Sequence, residues 1–366
     1  MNDDRIVLTL DAGGTNFVFL AIQGNREIIE PITLPSRADD LNACLETIVE
    51  GFTRAKEHIA ESPVAISFAF PGPADYPKGI IGDLGNLPAF RGGVALGPLL
   101  EGRFTLPVFI NNDGDLFCLG EAIAGLLPEI NEQLEKSGNP KRYKNLLGIT
   151  LGTGFGGGIV QDGNLFLGDN SASAEVWLIR NKLDPETNAE EGVSIRAIQR
   201  TYAKEADISF EMSLQPEDIF LIGIGKKEGN KEAAIEAFRR MGEVAGDAIA
   251  NAITLVDGLV IIGGGLTGAS ELFLPTIVKE MNSKFQTPSG GSISRMVMKC
   301  FNLEDRNDLN RFLKGDVEEI IVPDTSDRIV YDSLKRIGVG ISRLGTSRAT
   351  AIGAYAFALD ALDGKK

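Results

Sequence analysis

Reactive side chains of the rarer kinds are almost missing from this chain. Its 366 residues hold one histidine, three cysteines and one tryptophan. His58 falls near the end of a run with helical apolar spacing, where a helix-dipole or solvent role fits it. With no other histidine, a Ser-His-Asp triad elsewhere and a His-rich metal site are excluded. Cys44, Cys118 and Cys300 are scattered and form no Cys-x-x-Cys pair, so no disulfide framework is expected and a reducing compartment fits. A basic block is missing too. Against 51 Asp and Glu stand 36 Lys and Arg, a net charge of −15, which argues against nucleic acid as a partner because phosphate backbones need clustered cations. No apolar run is long enough to span a bilayer. Residues 1–5 are acidic and run straight into a strand, without the basic opening and apolar stretch of a signal peptide. A cytoplasmic protein with no membrane partner is expected, long enough for two domains with their own cores.

Glycine, by contrast, is abundant, and its placement carries the main signal. Residues 6–10 form an apolar run that reads as a buried strand. It stops at Asp11, then come Ala12, Gly13, Gly14 and Thr15, and a second apolar run covers 17–22. That is strand, tight turn, strand. Glycines permit positive φ and let backbone N–H groups approach a ligand. Several amides pointing one way make a nest for phosphate oxygens, and Thr15 adds a hydroxyl donor. Asp11 would repel a phosphate and fits this turn only with a cation such as Mg²⁺, or its hydrating waters, in between. A plain hairpin turn with an incidental acid uses the same residues. The pattern returns at 148–160, where a short apolar strand runs into Gly152, Thr153, Gly154 and further glycines before Ile159 and Val160. Two such hairpins, about one small domain apart, suggest two related halves, each with one loop on a polyphosphate.

Further candidates follow the strand ends. Residues 64–70 read as a strand ending in a rigid Pro71-Gly72-Pro73 turn. Residues 107–110 read as another, ending in Asn111, Asn112 and Asp113 before a helix. Ligands in open α/β sheets bind beyond the carboxyl ends of strands, so Asp113 sits in the right kind of place for chemistry, although on spacing alone a helix N-cap is the commoner use of the residue. Residues 128–144 read as an exposed polar excursion. Residues 233–255 keep a helical period. After a strand at 259–262 come Gly263, Gly264 and Gly265, then Thr267 and Gly268, matching the dinucleotide fingerprint G-x-G-x-x-G. It lies deep in the chain with no clear strand-end acid about 20 residues later, which favours a loop on the adenosine side of a nucleotide instead.

These motifs together resemble the sugar-kinase, actin and Hsp70 group of ATP-binding folds, and most closely the ROK family of sugar kinases. Asp11 to Thr15 resembles the family's Asp-x-Gly-Gly-Thr, and 152–158 its Gly-Thr-Gly-x-Gly-Gly-Gly loop. The resemblance implies an α/β, two-domain actin-like ATPase (ribonuclease H-like) fold with a cleft between the domains. A small domain would cover 1–116 plus 347–366, and a large one 117–346. It implies ATP with Mg²⁺ as cofactors, Asp11 holding the hydrated metal. Gly13, Gly14, Thr15, Thr153, Gly154, Gly263, Gly264 and Gly265 would sit on the nucleotide. The turn at Gly72 resembles the family's sugar-side loop, Asn86 its sugar-binding Asn-Leu-Pro segment with Phe90 where Trp is usual, and Asn112-Asp113 its catalytic segment, Asn112 on the sugar and Asp113 as base. Asp115 ranks below them.

The chain departs from the family at 174–195. Glu175 survives, but Trp177 and Leu178 replace the usual Gly and His, and no cysteine of the family's zinc motif is present, which implies no zinc and a reshaped sugar pocket. Glu190, four residues before Ser194, resembles a further sugar-binding acid. The expected function is phosphoryl transfer from ATP to a hydroxyl, the 6-hydroxyl, of a hexose or N-acetylhexosamine, by a homodimer or homotetramer. Three alternatives stay open: a catalytically degenerate sugar or nucleotide sensor, a nicotinamide enzyme built on Gly263 to Gly268, and a ROK-type repressor. The last is disfavoured by the short stretch ahead of Asp11 and by the acidity.

Overall fold

The computed structural model describes residues 3–13, 15–72, 74–82 and 90–364. The chain divides into two compact units, one of Met1–Gly125, Asn164–Ser173 and Leu344–Lys366, the other of Leu126–Gly163 and Ala174–Arg343.

The first unit opens with the expected hairpin. β1 (Ile6–Ala12) and β2 (Asn16–Gln23) pair antiparallel from Ile6↔Gln23 to Ala12↔Phe17. β1 runs parallel to β3 (Ala65–Ala69), and β3 to β4 (Val108–Asn111), giving the order β2-β1-β3-β4. Alternation along each strand sorts the side chains to two faces. Leu8, Leu10, Ile66, Phe68 and Ile110 share a core with Cys44, Ile48 and Phe52 of α1 (Leu41–Glu57) and with Leu96 and Leu100 of α2 (Leu96–Phe104). Val7 and Ala65 meet Ala351, Tyr355 and Leu359 of the C-terminal helix, Thr346–Leu362. Asp40 caps α1 by accepting from the Ala43 N–H, and His58 closes it with Nδ1 2.7 Å from the Arg54 carbonyl oxygen, a structural use of the only histidine.

The C-terminal helix also lies against α3 (Asp113–Ala124), and backbone touches backbone there. A Cβ on Gly120 would fall 1.9 Å from the Ala349 carbonyl oxygen, and one on Gly353 1.9 Å from that of Leu116. Glu121, fully buried, accepts from the Leu344 N–H at 3.1 Å and ties the start of the C-terminal helix to the same face of α3.

The second unit begins with α4 (Leu126–Lys136). The expected polar excursion at 128–144 is therefore a helix over its first half. Leu126, Leu127, Ile130 and Leu134 form a buried stripe at helical spacing, and Pro128 falls in the first turn, where its missing N–H costs nothing. β5 (Leu146–Leu151) and β6 (Phe155–Gln161) form the second hairpin. β5 runs parallel to β7 (Leu259–Gly263), which continues through β9 (Arg336–Ile341) to β8 (Lys299–Asn302), in the order β6-β5-β7-β9-β8. Each unit thus repeats one layout, an antiparallel hairpin followed by parallel strands. α5 (Ile195–Glu205), α6 (Lys231–Val256) and α7 (Ser270–Met281) build the core against this sheet, with Phe238, Met241, Ile249, Phe273 and Ile277 buried in it.

Residues 288–323 contribute one strand to this sheet, β8. A two-stranded ribbon, Val317–Ile321 with Arg328–Asp332, leaves Ile320, Ile321, Ile329, Val330 and Tyr331 exposed. Its base is fixed by Asp332, which accepts from the buried Arg336 guanidinium at 2.5 Å and from Asn139 at 3.0 Å. All three thiols are buried; burial pushes Cys44 up to about 11 and raises Cys300 as well. Among the described residues no helix is long and apolar enough to cross a membrane.

Replacing Gly353 by alanine forces a methyl group into the Leu116 carbonyl. The expected loss is about 1–3 kcal/mol or more, read as a lowered Tm in thermal unfolding. Alanine at Gly345, where nothing lies within 4 Å of a Cβ but φ is +78°, tests backbone strain without the clash and should cost less.

Candidate active site

In the first unit the candidate residues gather at the carboxyl ends of β1, β3 and β4, where ligands of open α/β sheets bind. Asp11 lies one residue before the end of β1 and is half-buried. A Cβ on Gly13 would sit 2.8 Å from the Asn16 carbonyl oxygen, so the turn is too tight for a side chain there. Thr15 is exposed beyond it, its carbonyl accepting from the Ser36 N–H at 2.9 Å. Gly14 and Asn86 lie outside the described residues. Gly72 follows β3 on an exposed turn, and the Tyr76 hydroxyl, donating to the Phe70 carbonyl at 3.0 Å, braces that turn from below. Phe90, expected in the place of a sugar-side Trp, is fully buried with its ring 5.2 Å from that of Phe70, so it is core.

The cap of α3 is Asn112, whose Oδ1 accepts from the Gly114 N–H at 2.8 Å. Asp113 is the first helical residue, one place past the filled cap, so it is not the N-cap. Its Oδ1 also accepts from Gly114, at 2.9 Å. Asp113 is exposed, and desolvation by the surrounding protein atoms raises its carboxyl above the usual carboxylate range. The N–H groups of Gly114 and of Asp113 itself pull the other way, and the nearby negative charge of Asp11 adds to the rise. Asp115 is only 4% exposed. Thr9, Ser67 and Asn111 form a polar group on one face of the adjacent strands β1, β3 and β4. All three are buried, and Thr9 Oγ1, Ser67 Oγ and Asn111 Nδ2 have no hydrogen-bond partner among the described residues. The signal was present, since Thr9 and Ser67 each interrupt an otherwise apolar strand. Thr9 precedes Asp11 by two residues and shares its face of the sheet.

In the second unit two glycine clusters far apart in sequence form one surface. The turn 152–154 joins β5 to β6 and is closed by the Gly152 N–H donating to the Gly154 carbonyl at 3.0 Å. β5 and β7 are parallel neighbours with Thr150 opposite Gly263, so the turn after β7 lies beside it. Gly264, at φ +96°, leaves no room for a side chain: a Cβ would be 2.2 Å from the Leu151 carbonyl oxygen. That same oxygen accepts from the Leu266 N–H at 3.1 Å. Gly265 has open space where its Cβ would be, and Thr267 Oγ1 donates to the Gly264 carbonyl to close the turn.

Glu190 does something the sequence did not announce. Its Oε2 accepts from the Phe155 N–H at 3.0 Å, and a Cβ on Gly154 would stand 2.7 Å from that oxygen. The carboxylate therefore fixes the glycine turn. Glu175 is exposed ahead of the single turn Val176–Leu178 and accepts from the Trp177 indole N–H. Among the described residues no three His, Cys, Asp or Glu side chains cluster to hold a metal ion.

The ROK family model matches residues 7–299. A glucokinase from Parabacteroides distasonis of known crystal structure is 55% identical, with a TM-score of 0.89 and 98% of each chain covered. An N-acetyl-D-glucosamine kinase from Photobacterium profundum is 28% identical over 300 residues, 76% of this chain and 91% of that one. A ROK family glucokinase from Streptomyces griseus, solved in complex with glucose and AMPPNP, shares the fold at 19% identity, with a TM-score of 0.60 over 96% of this chain and 98% of that one. The mixed α/β architecture is that of the actin-like ATPases, and the chain belongs to the ROK family.

Proposed function

We propose that the protein transfers a phosphoryl group from ATP to a hydroxyl, the 6-hydroxyl, of a hexose or N-acetylhexosamine, with Asp113 as general base. One observation carries the assignment: Asn112 fills the helix cap, and Asp113 follows it at the end of β4 as an exposed carboxylate that the cap does not require. The kinase names of the relatives support the reaction class. When bound, ATP supplies the phosphoryl group and Mg²⁺ neutralises phosphate charge. The glycine turns suit such a ligand because a Cβ at Gly264 would meet the Leu151 carbonyl and one at Gly154 the Glu190 carboxylate, so both positions carry bare backbone.

The residues then divide the work. Backbone N–H groups of Gly13, Gly14, Thr15, Thr153, Gly154, Gly263, Gly264 and Gly265 face phosphate and adenosine, and Asp11 anchors the hydrated metal. Asn112 has committed its Oδ1 to the cap, so its amide N–H groups remain to donate to a sugar hydroxyl. Asn86, Gly72, Glu175 and Glu190 complete the sugar side. Asp113 accepts the proton of the attacking hydroxyl, a role worth roughly 10²–10⁴ in rate. Reduced, buried thiols suit a cytoplasmic enzyme. The exposed apolar ribbon supports assembly into a homodimer or homotetramer.

Release of ADP over a panel including glucose and N-acetylglucosamine tests the reaction. Binding of ATP and sugar with no ADP release would identify a sensor instead. Asp113→Asn is expected to lower kcat by roughly 10²–10⁴. Because the folded pKa is raised, the base protonates as pH falls through a value above an ordinary aspartate, and kcat/KM should fall there in the wild type. The sign for stability is opposite. A carboxyl that holds its proton more tightly when folded loses stability as pH rises through that pKa, so Asp113→Asn should keep or raise Tm at pH 7. Glu190→Ala leaves the Phe155 N–H without its acceptor. It should cost about 1–3 kcal/mol and raise the KM for ATP, while Glu190→Gln, which keeps an acceptor, should do less on both measures.

A further inference from the structure

The second unit contains a cavity of about 230 Å³ that the proposed reaction does not use. Its walls come from the loop after Asn181, the single turn Glu190–Val193, α5 and α6. The loop wall is rigid. Asn181, 4% exposed, accepts from the N–H groups of Leu183 and Asp184 and donates to Thr187 Oγ1.

The groups facing the cavity are charged, and several are unspent. Arg240 of α6 is half-buried and makes no hydrogen bond or ion pair among the described residues. Its neighbours on that side of the unit are all engaged: Arg239 with Glu236 and Glu243, Lys182 with Glu243 and Glu280, Arg295 with Asp247. Arg200 of α5 is held in place by the Glu191 carbonyl at 2.6 Å and the Glu191 carboxylate at 2.7 Å, both through one terminal nitrogen, so its other N–H groups remain. The Thr201 hydroxyl makes no hydrogen bond among the described residues. On the loop side the Asp184 carboxylate likewise makes none. Two guanidinium groups and a hydroxyl suit a phosphate monoester. A spare carboxylate beside them would repel a bare anion but accepts from hydroxyl groups. The volume is small for a drug-sized ligand and suits a single sugar ring with one phosphate.

We propose that this cavity is a regulatory site for a phosphorylated hexose, with the phosphate on Arg240, Arg200 and Thr201 and the sugar hydroxyls on Asp184. Glu191 lines the cavity, while Glu190, the preceding residue on the same turn, accepts from the Phe155 N–H beside the glycine turn 152–154. Ile195, at the head of α5, donates to the Gly152 carbonyl at 2.9 Å. A phosphate that draws Arg200 from Glu191 therefore loosens the segment holding the turn. The ligand is an inhibitor acting through ATP affinity, and this part of the inference alone rests on the kinase reading above.

The test is calorimetric titration of the full chain with glucose 6-phosphate, with inorganic phosphate as a second probe. Wild type should bind glucose 6-phosphate at least tenfold more tightly than phosphate. Arg240→Gln and the isosteric Thr201→Val should each weaken glucose 6-phosphate, Arg240→Gln at least tenfold, and Asp184→Asn should narrow its preference over phosphate. Inhibition that excess sugar does not relieve should vanish in Arg240→Gln, with the KM values for ATP and sugar unchanged. No binding by wild type, equal binding by Arg240→Gln, or equal binding of inorganic phosphate would overturn the proposal. If the kinase reading failed, no ADP would form with any sugar, while the titration would still return its own answer.

Discussion

The first unit depends on two helices that touch without side chains between them. Gly120 on α3 and Gly353 on the C-terminal helix each face a carbonyl oxygen at a distance no Cβ can occupy. A contact of that kind has little slack, because packed interiors give only by tenths of an ångström. Its effect is positional. α3 begins at Asp113, so fixing the helix fixes the carboxylate at the end of β4, and the buried Glu121, accepting from Leu344, pins the same pair of helices a second time. Residues from the last part of the chain thereby set the geometry of a group read from its first third.

The second unit solves a related problem in another way. There the close approach is between loops. Gly264 lies against the Leu151 carbonyl, and Glu190 takes the Phe155 N–H, so two glycine turns and a carboxylate hold one another. Glycine loops are entropically expensive to order. A turn that must present N–H groups to a ligand gains if neighbours order it beforehand, since the ordering then does not weaken binding. Glu190, which resembles a sugar-binding acid in sequence, has a structural partner in the loop, the Phe155 N–H.

Much of this was legible in the sequence, for physical reasons that can be named. Both hairpins, the strand ends and the long helix α6 follow from apolar periodicity broken by glycine, a local signal. The region 128–144 was misread because its charged residues masked a stripe of only four apolar positions. Whether Asp113 caps its helix could not be read at all, since Asn112 and Asp113 are both good caps, and only backbone geometry shows which one takes the place. The tie from Glu190 to Phe155 and the glycine contacts at Gly120 and Gly353 link residues distant in sequence, and no local pattern encodes them. Asn86 and Gly14 lie outside the described residues, and their roles stand on the sequence alone.

The buried cysteines have a practical consequence. Cys44 and Cys118 belong to the first unit and Cys300 to the second, and none presents its sulfur at the surface. A maleimide or disulfide reagent can reach each only when the surrounding unit opens, and burial further suppresses the reactive thiolate of Cys44 and Cys300. The native chain carries its own clocks: the labelling rate of each sulfur reports how often its unit breathes, with no probe added.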